Sequence, residues 1–403
     1  MITSAAAPQQ EPAQAAYSLR ALTAYFLGLG AWGFGGPVAL VGYMHRDLVE
    51  RRQWITEQDY REGLALAQLA PGPLAAQLAI YLGYVHYGVL GATLVGLAFV
   101  LPSFVIVVAL GWAYTLYGGL SWMQAVFYGV GACVIGIIAH SGYKLTRKSI
   151  GRDPLLWAIY LVSAGSTIAT ESEFVGLFLV AGLLVWLRRA PPRFLRSGNS
   201  SASALAFPLA ALPRLADVSS HVLWQIALFF TEAGAFVFGS GLAIVPFLYG
   251  GVVKEHAWLN DQQFLDAVAV AMITPGPVVI TVGFIGFLVA GFAGATVAAL
   301  ATFLPCYLLT ILPAPYFKKY GKLPALVAFV DGVTAAAIGA IGGAVVVLGR
   351  RTLLPDGADL DFFKVGVMLA TLAVLASGRK VPEPVLIAIA TVAGLVAYPL
   401  LRG

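Results

Sequence analysis

Charged residues are scarce in this sequence, since Asp, Glu, Lys and Arg make up 11% of its 403 residues whereas apolar residues make up 60%. A water-soluble chain of this size needs more charge to cover its surface, so the composition argues against a soluble enzyme. The stretch from Leu78 to Trp112 contains no Asp, Glu, Lys or Arg. About 20 apolar residues cross a bilayer as a helix. Several such stretches follow one another, which predicts an all-α protein that spans the membrane many times.

Cysteine is nearly absent too, because Cys133 and Cys306 are the two in the chain and each stands alone in an apolar stretch. No CxxC pair and no histidines at metal-ligand spacing accompany them, which argues against a disulfide framework and a zinc site. We therefore expect no metal and no other cofactor. The net charge of +5 resides in short loops, where it orients a membrane protein, so nucleic acid is not an expected partner.

One sequence unit occurs twice, which predicts two homologous halves. Four positions recur at a spacing of 204 residues, namely Phe26 with Phe230, Gly35 with Gly239, Trp54 with Trp258 and Pro71 with Pro275. Beyond the Pro-Gly-Pro motif one residue drops out, and Pro102 matches Pro305 at a spacing of 203. Chance does not hold one register over so long a segment.

Each half is expected to form about five transmembrane helices plus one re-entrant helical hairpin. In the first half this hairpin runs from Arg61 to His86 and is broken by Pro71-Gly72-Pro73, which leaves two arms that are too short to cross the membrane alone. We divide the chain into a disordered N-terminal tail at residues 1–18, membrane repeats at 19–187 and 221–403, and a basic linker at 188–220.

The distribution of Lys and Arg predicts that the two halves have opposite orientations. Basic residues are concentrated in the first-half loops His45 to Glu62 and Lys144 to Arg152, and they are fewer or diluted by Asp in the matching second-half loops. The two remaining loop pairs show the reverse bias. Since Lys and Arg favour the cytoplasmic side, this alternation is typical of inverted-topology repeats. The linker would then be cytoplasmic and both termini external.

Two helix interruptions recur in both halves and form our candidate anion site. Inverted-repeat transporters bind their cargo near the midplane, where broken helices free backbone groups to replace the hydration of an ion. A helix start carries about half a positive charge, which suits an anion. The motif residues and their polar neighbours are Gly35, Gly36, Pro37, Gln68, Pro71, Gly72, Pro73, Gln77, Gly239, Ser240, Gly241, Thr274, Pro275, Gly276, Pro277 and Thr281. The alternative interpretation is that Pro and Gly only bend these helices for packing.

Five charged residues are further candidates. Arg46, Arg51 and Arg52 either attract an anion to a vestibule or only set the topology of their loop. Glu232 and Asp331 lie within apolar stretches, where an ionised carboxylate is costly and usually has a task. They either carry a coupling proton, or Glu232 lies at the membrane interface close to the basic linker and Asp331 bonds to a neighbouring helix.

These motifs together resemble the chromate ion transporter family in its long, two-domain form. The resemblance rests on FGGP at 34–37, APGP at 70–73, VLP at 100–102 and the basic loop ending in Trp54, with FGSG, TPGP and FLP in the second half. It covers about Leu19 to Pro399 and implies a secondary transporter that exports chromate across the bacterial cytoplasmic membrane. Ser240 and Gly241 depart from the first-half motif, so the two breaks need not be equivalent.

Other functions stay open at this point. A transporter for sulfate or another tetrahedral oxyanion would share every motif. A membrane enzyme acting on a lipid-linked phosphate would need clustered acid, base or metal ligands at one face, which the sequence does not display, so an enzyme is not expected. The sequence leaves the energy source and the oligomeric state open, with a homodimer as one form.

The inverted orientation can be tested by labelling single cysteines. A cysteine placed between Lys144 and Arg152 should react with an impermeant maleimide only from the cytoplasmic side, and one placed between Asp356 and Asp361 only from outside, because these loops occupy matching places in oppositely oriented repeats. Labelling of both from the same side would contradict the inversion.

Overall fold

The computed structural model describes residues 17–34, 36–117, 121–171, 175–191, 222–236, 244–320, 323–354, 360–378 and 381–402. Within these ranges the protein is all-α and has no β-strand. Five of the described helices are long and apolar enough to cross a membrane. The all-α, repeated, polytopic architecture expected from the sequence is therefore confirmed.

The helices of the first half begin directly after the N-terminal segment. They are α1 (Leu19–Trp32), α2 (Gly36–Met44), α3 (Glu57–Leu69), α4 (Leu74–Tyr117), α5 (Ser121–Ser149), α6 (Pro154–Thr170) and α7 (Val175–Arg189). A π-helical segment, His45–Arg51, continues α2. The Pro-Gly-Pro motif separates α3 from α4, as the hairpin interpretation requires.

The second half repeats this order. Its described helices are α8 (Val222–Phe236), α9 (Ile244–Tyr249), α10 (Asp261–Ile273), α11 (Thr281–Ile311), α12 (Ala314–Tyr320), α13 (Pro324–Leu353), α14 (Phe362–Ala376) and α15 (Glu383–Arg402). A π-helical segment again follows the second short helix, at Gly250–Glu255. A short 3₁₀ turn, Val278–Ile280, leads from the second Pro-Gly-Pro motif into α11.

The repeat extends to backbone detail. Gly88 bends α4 with φ 58° and ψ −149°, and Gly291, 203 residues later, bends α11 with φ 59° and ψ −150°. Only glycine adopts this conformation without strain. Helix caps recur as well, because the Thr56 side chain caps α3 and the Asn260 side chain caps α10. The first arm of each hairpin therefore begins at the equivalent position of its repeat.

Equivalent helices of the two halves pack antiparallel to each other. Between α4 and α11, Thr93 hydrogen bonds to Tyr307 at 2.6 Å, and Phe104 packs on Phe292 with ring centroids 6.3 Å apart. Residue numbers rise along one helix as they fall along the other. The equivalent helices α5 and α13 run antiparallel in the same way, since Gly142 lies at Ile341 and Gly349 lies at Ile135. The pseudo-two-fold axis is thus perpendicular to these helices, as inverted repeats require.

The last three helices of each half are exchanged. Helix α13 packs against α6 and α7 of the first half, and α5 packs against α14 and α15 of the second. Small residues bring these helices close, as is usual within membranes. The Ser163 hydroxyl donates to the Ala336 carbonyl at 2.7 Å, and Gly339 faces the Tyr160 backbone. Neither half has its full set of packing contacts without the other.

Ion pairs join the halves at both ends of α6. Arg189 pairs with Asp153 and with Asp331, and its hydrogen bond holds the pKa of the Asp153 carboxyl below its usual range. At the other end Glu171 pairs with Lys254 and Arg351. The hydrogen bond from Lys254, supported by Arg351, lowers the pKa of Glu171 although partial burial acts in the opposite direction.

The exchanged packing predicts unequal effects for two glycines on α13. A methyl group at Gly339 would overlap the Tyr160 carbonyl oxygen, whereas one at Gly349 would lie 3.8 Å from Ile135. Gly339→Ala should therefore lower the free energy of unfolding by roughly 1–3 kcal/mol, a typical overpacking cost, and Gly349→Ala should not. Thermal unfolding of the purified protein measures both. Equal melting temperatures for the two variants would contradict this packing.

Candidate functional site

The second Pro-Gly-Pro turn docks onto the first half of the protein. The Gly276 N–H donates to the Gly33 carbonyl, 2.9 Å away, at the break between α1 and α2. A Cβ at Gly276 would overlap the Ser103 hydroxyl on α4. Ser103 in turn donates to the Gly30 carbonyl at 3.4 Å. The two kinds of interruption thus meet directly, one from each half.

The first Pro-Gly-Pro turn docks onto the second half in the matching manner. A Cβ at Gly72 would lie 3.1 Å from the Cys306 sulfur on α11 and 2.7 Å from the Gln77 amide nitrogen. Cys306 and Ser103 are equivalent residues 203 apart, each directly after the proline of its Leu-Pro motif and each with 0% exposure. Each turn therefore contacts the other half's long helix at the same repeat position.

Glycine is required in both turns for two independent reasons. The φ angles are 140° at Gly72 and 93° at Gly276, which side chains with a Cβ rarely adopt. The close approach to Gln77, Ser103 and Cys306 leaves no room for one either. The turns bring backbone groups of both halves together in the protein interior, where water does not reach.

Polar side chains tie each turn to its hairpin. The Gln77 amide nitrogen donates to the Pro71 carbonyl at 2.7 Å, and its amide oxygen is buried with no hydrogen-bond partner among the described residues. In the second half, Thr281 donates to the Ala267 carbonyl at 2.7 Å. Thr274 donates to the Val270 carbonyl within α10 at 2.7 Å. Gln68, in contrast, is exposed.

The helix after the first turn has the expected start. The Gln77 N–H donates to the Pro73 carbonyl at 3.0 Å, which is the first bond of α4. The backbone N–H groups of Leu74, Ala75 and Ala76 precede that bond and have no acceptor within the helix. In the second half the Gly276 N–H is already bonded to the Gly33 carbonyl, so an anion can bind to it only if that carbonyl moves away.

A carboxylate from the second half lies at the Gly36 break. Helix α2 begins at Gly36, whose φ of 71° again favours glycine. A Cβ at Gly36 would lie 3.7 Å from one carboxylate oxygen of Glu383 and 3.9 Å from the other. Lys144 on α5 is the cation whose charge acts on this half-buried carboxyl group. Negative charge is favoured at a helix start, so Glu383 occupies a place that suits an anion.

Part of the predicted site lies outside the described residues, namely Gly35, Gly239, Ser240 and Gly241. Pro37 lies in the first turn of α2 next to Gly36. Pro71, Pro73, Pro275 and Pro277 flank the two glycines. The structure thus brings Gly33, at the end of α1, to the second Pro-Gly-Pro turn, whereas the first turn meets α11.

The three arginines of the basic loop have partners within the first half. Arg46 and Arg51 pair with Asp47 at 3.1 and 3.5 Å. The Arg52 guanidinium stacks over the Trp54 ring at 4.6 Å and over the Tyr25 ring at 5.3 Å. These contacts hold the loop against the ends of α1 and α2, and none of them reaches the Pro-Gly-Pro turns.

The two carboxylates proposed for coupling lie apart from the turns. Glu232 is exposed on α8, and Asp331 on α13 is paired with Arg189 at 2.6 Å. Asp331 thereby connects α13 to α7, as the structural alternative for this residue supposes.

A second pair of carboxylates was missed by the sequence reasoning. Glu62 on α3 and Asp266 on α10 are 204 residues apart, nine residues before their Pro-Gly-Pro motifs. Gln262 and Tyr114 donate to the buried Asp266 carboxylate at 2.7 Å each, and Gln58 donates to Glu62 at 3.0 Å. The same Gln-to-carboxylate spacing in both repeats was the signal that could have found them. Glu383 offered no such signal.

These features define a polytopic membrane protein of two inverted repeats whose broken helices meet between the halves. The chain belongs to the chromate transporter family, whose model matches residues 20–192 and 224–395, one match per half. Within the described ranges, no three His, Cys, Asp or Glu side chains are arranged to hold a metal ion.

Named relatives match almost the whole chain. The chromate transport protein of Cupriavidus metallidurans is 68% identical over 387 residues, which are 96% of this chain and 95% of the relative. A probable chromate transport protein of Synechococcus elongatus is also 68% identical, with 95% and 96% covered. The chromate transport protein of Pseudomonas aeruginosa is 32% identical, with 82% and 81% covered. No solved structure matches the chain.

Proposed function

We propose that this protein is a secondary transporter that exports chromate, or a related tetrahedral oxyanion, across the bacterial cytoplasmic membrane. The observation that carries the proposal is the docking of each Pro-Gly-Pro turn onto the opposite half, at Ser103 and Cys306. A cargo site at the contact between two inverted repeats can be exposed to one side and then to the other as the halves rock against each other.

The site would bind its anion through backbone groups. A dianion inside a membrane needs partners for its charge, and a full positive charge is costly there. The start of α4 provides N–H groups and the partial charge of a helix end without such a cation. In the second half, release of the Gly276 N–H from the Gly33 carbonyl would provide a further donor. Partial charges of this kind hold an oxyanion weakly enough to release it.

The relatives' names favour chromate over other oxyanions as cargo. Sulfate has the same shape and charge, so a backbone site recognises both, and sulfate transport is the alternative. Radiolabelled chromate uptake into inverted vesicles, with sulfate, molybdate and phosphate as competitors, separates the two. Chromate uptake that a large excess of sulfate slows by competition supports the proposed site, and uptake of sulfate without any uptake of chromate supports the sulfate alternative.

Alanine at the motif glycines tests the site. Gly72→Ala and Gly276→Ala should each abolish oxyanion transport in vesicles, because the methyl group occupies space that the anion needs beside the backbone. Gly291→Ala is the matched control, since its φ is also positive but a Cβ there meets nothing within 4 Å. All three variants bear the strain of an unfavourable φ, about 1–3 kcal/mol each.

A second substitution distinguishes packing from binding. Ser103→Gly removes the hydroxyl group that the Gly276→Ala methyl group would overlap. If Gly276 matters only for packing, the double variant should transport as Ser103→Gly does alone, and the site must lie elsewhere. If the glycine forms the anion site, the double variant should regain normal abundance and remain inactive.

We further propose that Glu383 competes with the anion at the Gly36 break. Its carboxylate lies where an oxyanion at the start of α2 would lie, so the two repel each other. Protonation of Glu383 would free that place and link anion movement to proton movement. This role is an alternative to coupling through Glu232 or Asp331.

Neutralising Glu383 tests this competition. In Glu383→Gln, sulfate or chromate should bind several-fold more tightly to the purified protein at pH 7, as measured by calorimetry. The wild-type affinity should rise as the pH falls, and the affinity of the variant should stay constant. Glu255→Gln removes one exposed carboxylate elsewhere and should leave the affinity unchanged. An unaltered affinity in Glu383→Gln would refute the competition.

A further inference from the structure

A cavity of about 680 Å³ lies between α14 and the C-terminal part of α5. One face of α5 contributes His140, Lys144, Arg147 and Lys148, which share a side of the helix because Lys144 follows His140 by four residues and Arg147 and Lys148 follow Lys144 by three and four. The opposite wall consists of Leu372 and Ala376 on α14. The cavity therefore combines a cationic rim with an apolar wall.

The cations of this cavity are available to a ligand. Among the described residues, no carboxylate lies within 4 Å of Lys144, Arg147 or Lys148, and all three are exposed. Glu383 is the acidic group on which Lys144 acts electrostatically. His140 lines the cavity, and its buried Nε2 has no hydrogen-bond partner in the described part of the chain.

The repeat does not reproduce this cavity. At the matching positions of α13, Gly343 replaces His140 and Val347 replaces Lys144. Arg351, which matches Lys148, is paired with Glu171 and Asp261. The repeated fold does not require these cations, because the second half lacks them at the matching positions. Since the two halves have opposite orientations, the cavity lies on one side of the membrane. Lys and Arg in short loops place that side in the cytoplasm.

We infer that this cavity binds the phosphate headgroup of an anionic phospholipid from the cytoplasmic leaflet. Basic pockets between transmembrane helices on this side suit such headgroups. The apolar wall on α14 accommodates the adjoining acyl chain, and Tyr143, 61% exposed, has the amphipathic ring typical of the membrane interface. A hydrated free oxyanion shares the phosphate chemistry but gains nothing from Leu372 and Ala376.

Native mass spectrometry of the detergent-purified protein tests the inference. Phosphatidylglycerol should bind in preference to phosphatidylcholine, and Lys144→Gln with Arg147→Gln should lower its affinity on the order of tenfold. The control variant, Arg20→Gln with Arg350→Gln, removes the same charge elsewhere, and Arg350 matches Arg147 in the repeat. It should bind the lipid as the wild type does. Equal losses in both variants would show a general charge effect and overturn the inference.

A second arm separates the lipid from free anions. Inorganic phosphate and sulfate are titrated into the protein in nanodiscs of phosphatidylcholine, and binding is followed by calorimetry. The inference expects no difference between wild type and a variant with Arg147→Gln and Lys148→Gln, which leaves Lys144 in place. Anion binding that depends on these two cations, without selectivity among lipids, would make the cavity an oxyanion vestibule and overturn the lipid site. Because lipid binding is measured without transport, its failure leaves the transport proposal untouched.

Discussion

The absence of water inside a bilayer is the constraint on which this structure depends, since every broken helix must find protein partners for its freed backbone groups. Both repeats break their helices at glycine and proline, and the other half supplies the partners. The Gly276 N–H bonds to the Gly33 carbonyl, and Gly72 lies against Cys306. The helix breaks in each repeat therefore depend on the pairing of that repeat with the other. A single half by itself would lack these partners.

The exchange of helices makes the outer helices of each half depend on the other half as well. Because α13 packs on α6 and α7 while α5 packs on α14 and α15, the two halves cannot separate as rigid bodies. At the centre, the second Pro-Gly-Pro turn meets the break between α1 and α2 through the hydrogen bond from Gly276 to Gly33. The bends at Gly88 and Gly291 divide α4 and α11 at matching positions, between the second arm of each hairpin and the rest of the helix.

The repeated architecture could be predicted from the sequence because it rests on long apolar stretches, on a constant spacing and on glycine and proline, which limit the backbone wherever they occur. The contact of Gly276 with Ser103 could not, since the two lie in different halves and neither residue type indicates its partner. Glu383 was missed because a carboxylate at the start of a helix near basic residues resembles an ordinary helix end. The helix exchange leaves no trace in composition or periodicity, because α13 is equally apolar whichever half it contacts.

Two equivalent repeats would present the same groups to an anion from either side of the membrane, so a difference between the two approaches must come from residues that the halves do not share. The described differences lie mainly on the side assigned to the cytoplasm. Glu383 and Lys144 have no charged equivalents, because Val175 begins α7 as Glu383 begins α15, 208 residues later, and Val347 matches Lys144 at a spacing of 203. The two docking points also differ, because one turn contacts the hydroxyl group of Ser103 and the other contacts the thiol group of Cys306. An anion that approached from that side would meet Glu383 near Gly36, and the opposite approach has no matching carboxylate among the described residues.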